Sequence, residues 1–210
     1  MFFMFVEPFE YLRFLTKPAL IFLLIIYYAS NDQESISKDF VFTVVALSFF
    51  LLANLATLFH TEPLLLIAAS VFFILGKVFY IFRFSNSMDF DILNFFPFLA
   101  LYLIYMFVIL NLTLDNLGSS LIPVLLFLFV TLLAVQFAFL RKGMVSKASY
   151  QLVIFGIFVF AAADTLSILG SFYKYWPWAR FIIMVAYAIA QYLIIMGLVK
   201  EKREEANLYV

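Results

Sequence analysis

Thirteen residues of the chain are acidic, and Asp164 alone falls inside a long apolar segment, Phe160-Ala-Ala-Ala-Asp-Thr-Leu-Ser-Ile-Leu169. Placing a carboxylate in hydrocarbon costs roughly 2.5–3.5 kcal/mol on insertion scales, so such a residue is expected to face the protein interior and to serve a function there. A carboxyl group held that way can deliver or accept a proton; the structural alternative is a buried Asp bonded to a neighbouring helix. Asn54, Lys77 and Gln191 are further polar side chains within apolar runs, and Tyr80 and Tyr187 accompany them. Tyr80 follows Lys77 by three residues and Tyr187 precedes Gln191 by four, so each pair shares one helix face. Lys77 and Asp164 are the only deep opposite charges, and an ion pair between them is the plainer reading.

These residues need elements to hold them in lipid. The chain has 210 residues, of which 67% are hydrophobic and 12% charged. Soluble domains carry about twice that charge. Apolar runs near the length of a membrane span predict a polytopic all-α transmembrane bundle forming a single domain over residues 1–210. The predicted spans cover 17–29, 40–59, 63–82, 93–112, 121–140, 150–169 and 178–199. Their apolar runs are continuous rather than alternating, which favours helices over barrel strands. Residues 1–14 read as an interfacial segment and 200–210 as a cytoplasmic tail.

Arg13, Lys17, Lys174 and Arg180 fall on one side of the predicted membrane. Lys38, Arg83, Arg141, Lys142, Lys147, Lys200, Lys202 and Arg203 fall on the other. The richer side is expected to be cytoplasmic, which puts the N-terminus outside and the C-terminus inside. With that orientation Asp164 is level with Asn54 toward the outer half, and Lys77 lies roughly 10 Å deeper. Trp176 and Trp178 then mark the outer interface. His60, beside Glu62, is expected at the same interface, and Gln136 and Asn111 near span ends. The formal net charge of zero gives no sign of a nucleic-acid partner. The chain has no cysteine and one histidine, which rules out disulfides, thiolate chemistry and histidine-cluster metal sites. No metal or cofactor is implied, and oligomeric state is not legible.

The spacing from Asn54 to Asp164 equals that from Lys77 to Tyr187, and Ala53-Asn-Leu-Ala-Thr-Leu58 is similar to Ala163-Asp-Thr-Leu-Ser-Ile168. A parallel duplication would produce such an echo.

Five ordered pieces carry a family resemblance: Thr16-Lys17-Pro18, Ser48-Phe-Phe-Leu-Leu-Ala-Asn54-Leu55, Phe73-Ile-Leu-Gly-Lys77-Val-Phe-Tyr80, Phe158-Val-Phe-Ala-Ala-Ala-Asp164 and Tyr187-Ala-Ile-Ala-Gln191-Tyr-Leu193. Together they resemble the YhhN-like, or lysoplasmalogenase, integral membrane proteins. That family is described with eight spans, and the one missing here would be the first. The resemblance implies hydrolysis of the vinyl ether bond of a lyso-ether phospholipid in a bacterial inner membrane. It implies catalytic roles for Asp164, Asn54 and Lys77, and substrate-binding roles for Tyr187, Gln191, Tyr80 and Lys17. Asn54 stands where the family has aspartate, Lys77 where it has histidine, and Ala163 where it has serine. Asn54 can neither donate a catalytic proton nor carry negative charge. Three readings therefore stand open: an ether-lipid hydrolase, a non-catalytic lipid-binding protein, and a small-molecule transporter.

Overall fold

The computed structural model describes residues 10–31, 37–58, 63–85, 96–174 and 176–208, and these are helical with short turns and no strand. The helices are α1 (Glu10–Asn31), α2 (Lys38–Leu58), α3 (Pro63–Ser85), α4 (Phe96–Leu117), α5 (Leu121–Leu140), α6 (Lys147–Phe172) and α7 (Ala179–Leu208). Among the described residues, five helical stretches are long and apolar enough to cross a membrane: Lys38–Leu58, Leu64–Ser85, Ala100–Leu140, Lys147–Phe172 and Ala179–Glu201. The apolar part of α1, Pro18–Asn31, is shorter than a full span. Large apolar side chains such as Leu64, Phe107 and Ile122 are exposed, as a lipid-facing surface requires.

Local chemistry explains where several helices begin. The Ser37 hydroxyl accepts the Phe40 N–H at 3.2 Å, and the Ser146 hydroxyl accepts the Ser149 N–H at 3.2 Å. Each satisfies a donor that the first turn of a helix leaves over. Asp39 in the first turn of α2 complements the positive end of the helix dipole.

The chain divides into two compact units, Met1–Phe79 and Tyr80–Val210, and the division falls within α3. In the first unit aromatic rings join the helices. Tyr28 of α1 stacks on Phe40 of α2 at 6.0 Å. Phe49 of α2 stacks against both Phe72 and Phe79 of α3, at 6.2 and 5.6 Å. Gly76 lets α3 approach α2, because a Cβ there would stand 2.8 Å from the Phe50 ring.

In the second unit the apolar stretch Ala100–Leu140 is too long for one crossing, at about 60 Å if straight. It folds back at Gly118, whose φ of +46° opens a three-residue 3-10 turn, Gly118–Ser120. Ile109 and Leu117 of α4 then share a core cluster with Val124 and Leu128 of α5 and Ile168 of α6. The Asn116 side-chain amide donates to the Phe172 carbonyl at 2.8 Å, tying the end of α4 to that of α6. The sequence placed the end of this segment at 112, but α4 continues to Leu117, since Asn116 has a tertiary acceptor there.

Helices α6 and α7 pack closely through small residues. A Cβ on Gly156 would lie 3.0 Å from the Ala190 carbonyl oxygen, and one on Gly197 would lie 2.6 Å from Val153 Cγ2. Small residues at such crossings let backbones approach where lipid supplies no hydrophobic drive. Where the sequence suggested a tail from residue 200, α7 continues as helix to Leu208 and Glu201 is buried. Residues 1–9 of the proposed interfacial segment, and His60, lie outside the described residues.

Candidate functional site

Asp164 sits on the buried face of α6 with Phe160, Ala163 and Ile168. Its Oδ2 lies 2.9 Å from the Thr131 hydroxyl of α5, which also lies 2.9 Å from the Phe127 carbonyl one turn earlier. A hydroxyl has one proton and can also accept. With Asp164 ionised, Thr131 donates to the carboxylate. With Asp164 protonated, the carboxyl O–H donates to Thr131, whose own proton turns to Phe127. The pair therefore accommodates both states without moving a heavy atom. Beside it, the Thr165 hydroxyl donates to the Ala161 carbonyl at 2.7 Å and bonds the Tyr105 hydroxyl of α4. Residues from α4 and α5 thus meet adjacent positions of α6.

On α7, Tyr187 and Gln191 share a face. The Tyr187 ring is tilted against Phe160 with centroids 5.5 Å apart. Gln191 is fully buried, and its Oε1 accepts the Tyr80 hydroxyl at 2.6 Å. The contact of Phe160 with Tyr187, and of Gly156 with Ala190 and Ile194, fixes the antiparallel register of α6 and α7. In that register Gln191 lies level with Gly156, about two turns from Asp164. The structure thus links Gln191 to Tyr80, and it links Asp164 to Thr131.

In the first unit, Asn54 is buried and its side-chain N–H donates to the Phe50 carbonyl at 2.8 Å. Lys77 is fully buried in α3, next to Gly76. Lys17 belongs to α1, but its side chain lies outside the described residues.

The sequence did not single out Thr131, Tyr105 or Thr165. Nor did it single out a buried ionic cluster where α3 and α5 end beside Glu201 of α7. Arg83 Nη2 donates to Glu201 Oε2 at 3.1 Å, and Arg141 bonds the same oxygen. The Arg141 guanidinium also lies 5.3 Å over the Phe84 ring. These charges read as solvated loop residues. The available signal was Phe82-Arg83-Phe84, a cation held between aromatic residues at a helix end. An open depression of about 560 Å³ is lined by Ala148, Gln151, Leu152, Ile154, Phe155 and Lys200, at the opposite end of α6 from Asp164.

A family model described as the YhhN family matches residues 12–198. The chain belongs to the YhhN family. The YhhN match runs from α1 into α7 and takes in Asn54, Lys77, Tyr80, Asp164, Tyr187 and Gln191. No curated protein and no solved structure matches this YhhN chain.

Proposed function

We propose that this YhhN protein is a lysoplasmalogenase-like hydrolase, cleaving the vinyl ether bond of lyso-ether phospholipids within the membrane. The carrying observation is the buried Asp164–Thr131 pair, which suits a group that must both give and regain a proton. In the first step the Asp164 carboxyl transfers its proton to the outer vinyl carbon, and the C=C π electrons form the new C–H bond. An oxocarbenium ion remains at the carbon bearing the ether oxygen. Water adds to that carbon and returns a proton to the Asp164 carboxylate. The hemiacetal hydroxyl then loses its proton and the leaving glycerol oxygen gains one as their C–O bond breaks, releasing a fatty aldehyde and a glycerophospho alcohol. Thr131 follows the proton by turning its hydroxyl. Acid–base catalysis of this kind contributes roughly 100- to 10,000-fold.

Family membership supports this reading. We assign the protein seven spans on its apolar runs, with N-terminus out and C-terminus in on the lysine and arginine distribution, and a bacterial inner membrane on the family resemblance. Asn54→Ala and Lys77→Ala are each expected to lower turnover, through loss of an orienting amide and of a phosphate-binding cation. The deciding experiment measures aldehyde release from a lysoplasmalogen by detergent-purified protein, with Asp164→Asn beside it. Turnover that falls at least about 100-fold in the variant supports the assignment. Full turnover by Asp164→Asn overturns the role of Asp164. No turnover by folded wild type favours the second reading, a non-catalytic lipid-binding protein, which the amide at Asn54 and the amine at Lys77 motivate.

A further inference from the structure

The depression at the end of α6 away from Asp164 has no part in the chemistry above. Its volume of about 560 Å³ falls in the usual range of small-molecule sites. Helix α6 supplies most of its lining, and Lys200 comes from α7. Gly197 lies against Ser149 and Val153, so Lys200, three residues on, reaches the level of Ala148 in the first turn of α6. From there the depression runs to Phe155, roughly 10 Å along the helix. It starts where the apolar spans of α6 and α7 both end, and it descends toward their middles.

The lining changes character over that distance. Near the span ends stand two exposed polar side chains, Lys200 and Gln151. Lys147, next to Ala148, is exposed as well. Deeper in, the lining is apolar and ends at Phe155. Phe155 and Phe158 are 61% and 54% exposed, and they follow Gln151 by four and seven residues, so all three share one face of α6. A lysine stem lies readily over apolar surface while its ammonium stays at the head-group level. The sequence of groups from the span end inward is thus cation, amide, aliphatic, aromatic, which matches a lipid read from its head to its chain.

Charge decides the occupant. The acidic side chains described in the second unit are Asp115, Asp164 and Glu201. Asp115 and Asp164 lie toward the other end of α6, and Glu201 receives Arg83 and Arg141. Among the described residues Lys200 has no ion pair. An exposed ammonium at the head of an apolar groove suits an amphiphile with a negative head group. A zwitterionic head group would bring its own ammonium toward Lys200. A second copy packed on this face about a two-fold axis would bring its own Lys200 there, and like charges would meet. We propose that the depression binds one anionic phospholipid, with its phosphate on Lys200 and Gln151 and a chain along Phe155 and Phe158. On the proposed topology this lipid belongs to the cytoplasmic leaflet, whose anionic lipids attract basic residues near the surface. The site is separate from Asp164 and does not depend on the proposed hydrolysis.

The test is native mass spectrometry of the full-length protein in detergent, titrated with phosphatidylglycerol or with phosphatidylcholine of the same chains. Wild type is expected to hold one phosphatidylglycerol with a roughly tenfold preference over phosphatidylcholine. Lys200→Ala should bring that ratio close to one, and Lys200→Arg should keep it. Phe155→Ala should weaken both lipids and leave the preference. Equal binding of the two lipids by wild type, or an undiminished preference in Lys200→Ala, would overturn the site. Glycerophosphoglycerol, the same head group without chains, should not displace the bound lipid at equimolar concentration. Displacement would assign the depression to a soluble phosphate ester and overturn the lipid. Because Lys200 is exposed, the Tm of lipid-free Lys200→Ala should match that of wild type. A fall of several degrees would make Lys200 a structural residue and overturn the proposal. A wild-type dimer that Phe155→Arg dissociates would assign this face to a second copy, and would overturn it too.

Discussion

Thr131 and Asp164 make the proposed proton transfer a question about one hydroxyl. Thr131→Val keeps the shape of the side chain and removes its O–H. The expected result is an unchanged fold and a turnover roughly tenfold lower, with Thr131→Ser restoring most of it; aldehyde release at saturating substrate checks both. Glu201 makes a different prediction. Glu201→Ala removes the oxygen that receives Arg83 and Arg141 in a buried setting. Breaking a buried ion cluster this way costs about 3–5 kcal/mol, whereas replacing Glu201 and Arg141 together by methionine should cost less. Thermal unfolding in detergent distinguishes the two. Asp164 could be read from the sequence because a lone carboxylate in an apolar run has few innocent explanations. Thr131 could not, because threonines in apolar helices commonly bond the carbonyl four residues back. Thr43, Thr113 and Thr165 do so, and Thr131 does so as well. What sets it apart is the helix it faces, which only tertiary placement reveals. Glu201 was hidden by its neighbours: Lys200-Glu-Lys-Arg-Glu-Glu205 has the composition of a solvated tail.

At the scale of elements, the closest approach described in the second unit is that of α6 to α7. Gly197→Val would drive a side chain into Val153 and toward the Ser149 carbonyl, 3.0 Å from the Cβ position. Overpacking of this kind costs about 1–3 kcal/mol, and the Tm is expected to fall by several degrees. Gly76→Ala meets the Phe50 ring, which can rotate away, so its effect should be smaller. Long continuous apolar runs made the positions of the helices legible. Their ends were less so, because polar residues such as Asn116 resemble turn formers until their tertiary acceptors are known. The reversal at Gly118 was legible in outline, since Asp115-Asn-Leu-Gly-Ser-Ser120 interrupts two apolar runs. The pairing of Tyr105 with Thr165 and Thr131 with Asp164 was not, because it depends on how the two helices rotate against α6.

For the whole molecule, the family match extends over nearly the entire chain, and the lysine and arginine distribution predicts how it lies in the membrane. The absence of cysteine makes that prediction easy to check. Lys142 and Lys174 are exposed at opposite ends of α6. A single Lys174→Cys should react with an impermeant maleimide on intact cells, and Lys142→Cys only after the membrane is opened. The reverse pattern would invert the topology. The ionic cluster also has a consequence for how the protein is made. Ribosomes deliver Arg83 and Arg141 to the membrane well before Glu201. The cluster closes only when α7 has been synthesised and has docked, so it can serve as a completion signal during biogenesis. A chain that stalls or is cut before residue 201 would present an arginine cluster lacking its glutamate, a feature that membrane quality control can recognise. Pulse-chase labelling should accordingly show faster degradation of a chain truncated after Lys200 than of the full-length protein.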